Sequence, residues 1–276
     1  MSSRFTPEGL REIIAQKIPQ GSIESRHTDK EHFYWVRRDN AVYPSATGSL
    51  KILKQTGLAE WKMGRALDYV AKNYKDFTKE NLDYHIKTAK DVSTSIFLDA
   101  GDIGTEIHDY RAEYFREWVR RREQPTSTQS FIPESQSDVR SKSAMRALEK
   151  FCKDYNYTPG VTELSLWSTK LKLAGSLDDL GFVGDDLVLI DIKTSNALKV
   201  SYHLQVALYA IMLKEITGIV PKKYMIVRLS KEDGTYEVEE IKDIAKAKKA
   251  AVKTVELDRL YEELEKKRKE KKKIIL

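Results

Sequence analysis

Two spacings of apolar residues divide the chain: a helical period dominates up to about residue 155, and a strand-like alternation follows. Residues 6–18 read as a short helix, with Thr6 placed to cap it and Pro7 suited to its first turn. His32–Val36 and Ala41–Tyr43 flank the polar turn Arg37-Arg38-Asp39-Asn40, the pattern of a small hairpin. Ser45 then caps another helical stretch, and Leu58, Trp61, Ala66, Leu67 and Val70 follow helical spacing to Tyr74. Residues 79–122 are mostly helical in pattern, with a break expected at Asp99-Ala100-Gly101-Asp102. Bulky Tyr110, Tyr114, Phe115 and Trp118 follow that break. Gln124–Asp138, rich in Ser, Thr, Gln and Pro, reads as a mobile loop, and a helix resumes over 142–155.

Beyond Thr158 the segments Val161–Ser168, Leu171–Leu177, Leu180–Val183 and Leu187–Ile192 are strand-like, with Gly and Asp at the turns. Ser201–Glu215 reads as an amphipathic helix. Lys223–Leu229 and Tyr236–Glu239 read as strands around Glu232-Asp233-Gly234, and a last helix starts near Asp243. No repeat of solenoid period is present. The order predicts an α/β or α+β fold with a helical N-terminal elaboration. Its parts are a mainly helical region 1–98 with the small hairpin, a core 99–242 with a mobile loop at 123–138, and a C-terminal helix with basic tail 243–276.

Composition adds mostly exclusions. A chain of 276 residues can bury a sizeable core, and 41% hydrophobic with 33% charged residues suits a globular protein. No run approaches the roughly 18 apolar residues of a membrane span. The start MSSRFTPEGLREII lacks the apolar centre of a secretory signal. The expectation is a cytoplasmic protein with no membrane partner. The single cysteine, Cys152, excludes an intrachain disulfide and any site within one chain built on several thiolates; it is expected to be a half-buried helix residue. Half of the net charge of +6 lies in the tail from Tyr261, so the remainder is only mildly basic, which is compatible with nucleic acid without demanding it.

The chemistry concentrates in LKLAGSLDDLGFVGDDLVLIDIKTS, residues 171–195. Asp191 and Lys193 are two apart, so on a strand they project to one face while Ile192 points into the core. Asp178 ends the preceding strand after Gly175 and can lie beside Asp191. Two neighbouring carboxylates repel unless a cation sits between them, and oxygen ligands suit Mg²⁺ or Mn²⁺. Taken alone, Asp-x-Lys is also an ordinary strand end with a surface ion pair. Three other elements are equally two-sided. His108, near a helix start in Gly104-Thr105-Glu106-Ile107-His108, is a metal imidazole or a packed histidine. Glu163, between apolar neighbours on a strand, is a site carboxylate or a solvent-facing residue. Gln205 and Tyr209, i and i+4 on one helix face, are site groups or a polar stripe.

Their order is more specific than any one of them. Gly104–His108, Glu163, Gly175–Asp178, Asp191–Lys193 and Gln205–Tyr209 together resemble the RecB-like branch of the PD-(D/E)XK nucleases, over about residues 100–210; Tyr43–Thr47 looks more loosely like phage-encoded members. The resemblance implies a restriction-endonuclease-like core, a mixed central sheet flanked by helices. It implies that His108, Asp178, Asp191 and the main-chain carbonyl of Ile192 hold Mg²⁺ or Mn²⁺, and that Lys193 assists the attacking water. Glu163 would sit at the site's edge, and Gln205 and Tyr209 would hold the DNA backbone or brace the catalytic groups. Four cysteines of an iron–sulfur cluster, found in some relatives, are missing, and so is any phosphate-binding loop of a helicase motor.

A DNA substrate would call for cations around the site: Lys170, Lys172, Lys199 and the run Arg120-Arg121-Arg122 are candidates, with Trp167 for base stacking. Each is also an ordinary surface or core residue by type, and the basic tail is either added affinity or a solvated helix end. The leading expectation is a metal-dependent DNA exonuclease of recombination, repair or replication, phage-encoded or prokaryotic, with replication or recombination proteins as possible partners. A structure-specific endonuclease with the same site and a non-catalytic DNA-binding scaffold are the alternatives.

Overall fold

The computed structural model describes residues 5–28, 32–53, 58–133 and 138–274. They divide into two compact units, Met1–Leu53 with Tyr110–Leu276, and Lys54–Asp109.

In the larger unit, helix α1 (Pro7–Lys17) opens as its sequence dictates, with the Gly9 amide donating to Thr6 Oγ1 at 3.1 Å. Strands β1 (Ile23–His27), β2 (His32–Val36) and β3 (Ala41–Pro44) form an antiparallel three-stranded sheet. β2 and β3 are the expected hairpin; β1, a polar IESRH segment without clear alternation, is an addition. Ser45 caps the short helix α2 (Ala46–Ser49) through the Gly48 amide.

The central sheet has the order β4-β5-β6-β7-β8, made of Tyr157–Ser168, Leu173–Val183, Asp186–Lys193, Lys223–Leu229 and Tyr236–Glu240. All neighbours are antiparallel except β6 and β7, which run parallel. A parallel pair cannot be closed by a tight turn, and helix α6 (Val200–Thr217) makes the crossover. α6 is buried along most of its length, between the sheet on one side and α1 and α7 (Ile244–Ile274) on the other. That is why Ala207, Leu208, Ala210, Met212 and Leu213 leave no continuous polar face, and α6 is not the amphipathic helix expected. On the opposite sheet face, Phe151 of α5 (Val139–Asp154) and Phe115 both lie 5.6 Å, centroid to centroid, from the Tyr157 ring.

Several boundaries differ from expectation. The segments expected at Leu171–Leu177 and Leu180–Val183 form one strand that begins at Leu173, because Asp178 and Asp179 find partners within the fold rather than forming a turn. Helix α4 (Leu82–Arg121) runs unbroken through Asp99–Asp102. No proline falls in it, Gly101 costs a helix only about 1 kcal/mol, and Ile103 and Ile107 beyond it are buried at helical spacing. In the loop before α5 the Thr128 hydroxyl donates to the Met145 carbonyl at 2.9 Å; residues 134–137 lie outside the described residues. Cys152 is fully buried, not half-buried.

The smaller unit contains α3 (Leu58–Asn73), a 3-10 turn at Tyr74–Asp76 and the first part of α4. Its buried His85 stacks on Phe77 at 4.2 Å and meets the Tyr69 hydroxyl at 3.0 Å.

Two glycines separate packing from propensity. A Cβ at Gly181 in β5 would stand 2.6 Å from the Thr158 carbonyl of β4, whereas one at Gly64 in α3 meets nothing within 4 Å. Gly181→Ala is expected to destabilise by about 1–3 kcal/mol, and Gly64→Ala to stabilise by up to about 1 kcal/mol. Urea unfolding of the two variants checks this; shifts of the same sign would contradict it.

Candidate active site

The site is built where β6 ends. Leu187 and Leu189 point into the core shared with α6, so Asp191 and Lys193, next in the alternation, face the same way. Asp179 pairs with Ile190 across β5 and β6, which makes Asp178 and Asp191 the next facing positions. The Ile192 amide donates to Asp178 Oδ2 at 2.6 Å, which ties the Asp178 carboxylate to the end of β6. Asp178 and Asp191 therefore meet as expected, although Asp178 does so from mid-strand. The Ile192 side chain is buried on the opposite face.

Lys193 Nζ lies 2.6 Å from the Asp191 carboxylate and 5.1 Å above the Tyr202 ring. Burial pushes the Lys193 pKa down, but Asp191 and Asp178 outweigh it and hold it above the ordinary lysine value. Lys193 is thus held as an ammonium paired with Asp191. Gln205 and Tyr209 of α6 are joined, Gln205 Nε2 donating to the Tyr209 hydroxyl at 3.0 Å. Burial, then Asp191 and Asp178, push the Tyr209 phenol up, so it stays protonated beside the carboxylates. Gly175 makes room for this ring: a Cβ there would stand 2.8 Å from Tyr209 Cε1. The glycine of Gly-x-x-Asp is a steric requirement of the tyrosine in Gln-x-x-x-Tyr.

The residue that sequence reasoning missed is Arg111 of α4. Its side chain is wholly buried. Nη1 donates to the Asp179 carboxylate, to the Asp178 main-chain oxygen at 3.2 Å and to Thr162 Oγ1 at 3.3 Å. Nη2 donates to Glu163, and Asp178 Oδ1 lies 3.9 Å from it. Burial disfavours the Arg111 charge, but Asp179, Asp178 and Glu163 more than restore it. Asp179 is pushed up to about 8 by burial, against the pull of Arg111. Two signals pointed to Arg111: it lies one helical turn after His108, and it interrupts the bulky run Ile107, Tyr110, Tyr114 and Phe115.

Glu163 stands in β4 between Thr162, paired with Asp179, and Leu164, paired with Leu177, hence opposite Asp178. One of its carboxylate oxygens lies within 4.8 Å of one of Asp178. Its φ of +52° is left-handed, a conformation that costs a residue with a side chain about 1–3 kcal/mol and that clusters at functional sites.

The candidate DNA contacts fare less well. Trp167 is buried with Tyr34, Val36, Tyr43 and Ala174, so its ring packs the core and is not open to a base. Lys170 and Lys172 are exposed at the β4–β5 turn, and Lys172 is six residues from Asp178 along the strand, roughly 20 Å at strand rise. Lys199 is exposed just before α6. Arg120 and Arg121, at the end of α4, both pair with Glu117. His108 lies on α4 one turn before Arg111, within the smaller unit.

The sequence profile of the PD-(D/E)XK nuclease superfamily matches residues 53–273. No protein of curated function matches the chain. Among solved structures, the crystal structure of SSO0001 aligns with 55% of this chain and 74% of its own at 17% identity, with a TM-score of 0.25.

Removing the buried cation should expose the strain it relieves. Arg111→Met is expected to lose about 3–5 kcal/mol of stability, and adding Asp179→Asn should restore part of that. Denaturant titration of the single and double variants measures it; a wild-type midpoint for Arg111→Met would show that the carboxylates need no such counter-ion.

Proposed function

Because the chain belongs to the PD-(D/E)XK nuclease superfamily, we propose that it is a divalent-metal-dependent DNA exonuclease of the RecB-like branch, working inside the cell in DNA recombination, repair or replication. The observation that carries the reading is the meeting of Asp178, Asp191 and Lys193 at the C-terminal end of β6.

The donor set fits the metal such an enzyme needs. Asp178, Asp191, Glu163 and the Ile192 carbonyl are hard oxygen ligands, the kind that Mg²⁺ and Mn²⁺ take. Asp178, Asp191 and the Ile192 carbonyl would hold the ion, with Glu163 as a further ligand or support. The ion would supply a positive centre that polarises the scissile phosphate and acidifies a nearby water.

The chain's own groups do the rest. Lys193, held as an ammonium against Asp191, orients the attacking water and offsets charge growing on the phosphoryl oxygens. Tyr209, locked by Gln205 and seated on Gly175, would brace the catalytic carboxylates. Lys170, Lys172, Lys199, Arg120 and Arg121 would attract phosphates farther from the cleaved bond, a contribution that salt weakens.

The test uses end-labelled linear DNA and covalently closed circular single-stranded DNA, each with Mn²⁺ or with EDTA. Linear DNA should be degraded only with Mn²⁺, the circle should survive, and Lys193→Ala should lower the rate by about 100-fold or more. Cutting of the circle would assign an endonuclease instead. Binding of DNA with no metal-dependent product would assign a scaffold. Activity that survives Lys193→Ala would place the chemistry elsewhere.

A further inference from the structure

We propose that Arg111 is a positioning residue for the metal-binding carboxylates: anchored on Asp179, its guanidinium fork fixes Glu163 in the orientation from which it serves the ion. The proposal rests on the nuclease reading above and names a residue outside the motifs that led to it.

Arg111 has no exposed side-chain surface, so it cannot meet a nucleic acid. Its Nη1 is committed to the scaffold, through Asp179, the Asp178 main-chain oxygen and Thr162 Oγ1. Its Nη2 goes to Glu163. Asp179, itself buried, is the anchor, and Glu163, about a third exposed, is the group held. A carboxylate on a flexible stem at a sheet rim would otherwise spread over several rotamers. The left-handed backbone at Glu163 points the same way: the strand keeps an unfavourable φ at the one residue whose side chain takes this hydrogen bond. The planar fork explains why the residue is arginine, since one guanidinium serves two carboxylates in fixed geometry and an ammonium does not.

The test is binding of Mn²⁺ alone to the full chain without DNA, followed by the electron paramagnetic resonance of free Mn²⁺. Arg111→Met combined with Asp179→Asn removes the buried cation together with the carboxyl that anchors it, so neither is left facing an absent partner. This pair is expected to weaken Mn²⁺ binding about 10-fold. Glu163→Gln in the wild-type background should weaken it to a similar degree, and Glu163→Gln added to the pair should have little further effect. Arg111→Lys keeps the charge and loses the fork, and should weaken binding several-fold; it decides the matter if the pair fails to fold. Wild-type affinity in the double variant would overturn the proposal. So would an undiminished effect of Glu163→Gln in that background, or wild-type affinity in Arg111→Lys where the pair does not fold. Failure of the wild-type chain to bind Mn²⁺ would instead sink the metal reading itself, and this proposal with it.

Discussion

A guanidinium sealed inside the protein among carboxylates is the interaction on which the rest of the site depends. A charge in that position without partners would cost several kcal/mol, and Arg111 is tolerable because β4 and β5 deliver Asp179, Glu163, Thr162 and a main-chain oxygen to it. The dependence runs both ways. Asp179 can stand in the middle of a buried strand only because a cation meets it there. Asp178, its neighbour, is then turned to the other side of the strand, where the Ile192 amide takes its carboxylate. The direction of each acidic side chain at this rim follows from where the positive charges are fixed.

Sheet topology decides where the rim lies. β6 and β7 are the only parallel neighbours in the central sheet, and the helix that joins them must leave from the C-terminal end of β6. Open α/β sheets place ligands at this end. Here the crossover helix also supplies Gln205 and Tyr209, and β5 runs past the end of β6 to offer Gly175 beneath the tyrosine ring. One connection thus fixes where the rim lies and brings Gln205 and Tyr209 to it.

Much of this was legible in the amino-acid sequence, and what was not has physical causes. Asp191 and Lys193 could be placed on one face because a strand has a period of two and the run Leu187–Ile190 was plainly buried. Asp178 could be placed beside them, although its strand was read too short: acidic residues after an apolar run look like a turn unless their partners are known. Those partners, Arg111 and the Ile192 amide, come from 68 and 14 residues away, and local pattern does not carry such pairings. Trp167 illustrates the converse. Its position on a strand was correct, but whether its indole meets a core or a substrate depends on the three-stranded sheet, of which β1 leaves almost no apolar signature. In α4, Gly101 and two aspartates suggested a stop, while the burial of Ile103 and Ile107 carried the helix through.

The crossover also has a consequence for the order of events during folding. The β5–β6 hairpin is local and can bring Asp178 to Asp191 early. Arg111 must be reached from 51 to 68 residues away, and β7 must wait for α6 before it can align with β6. Such long-range closures pay their entropy before they gain their contacts, and so come late. A partly folded chain would hold the pair of acids and Lys193 with neither Arg111 nor the bracing tyrosine. Cutting power would then appear only with the last closures, so the slowness of the topology would itself restrain a half-made hydrolase from acting.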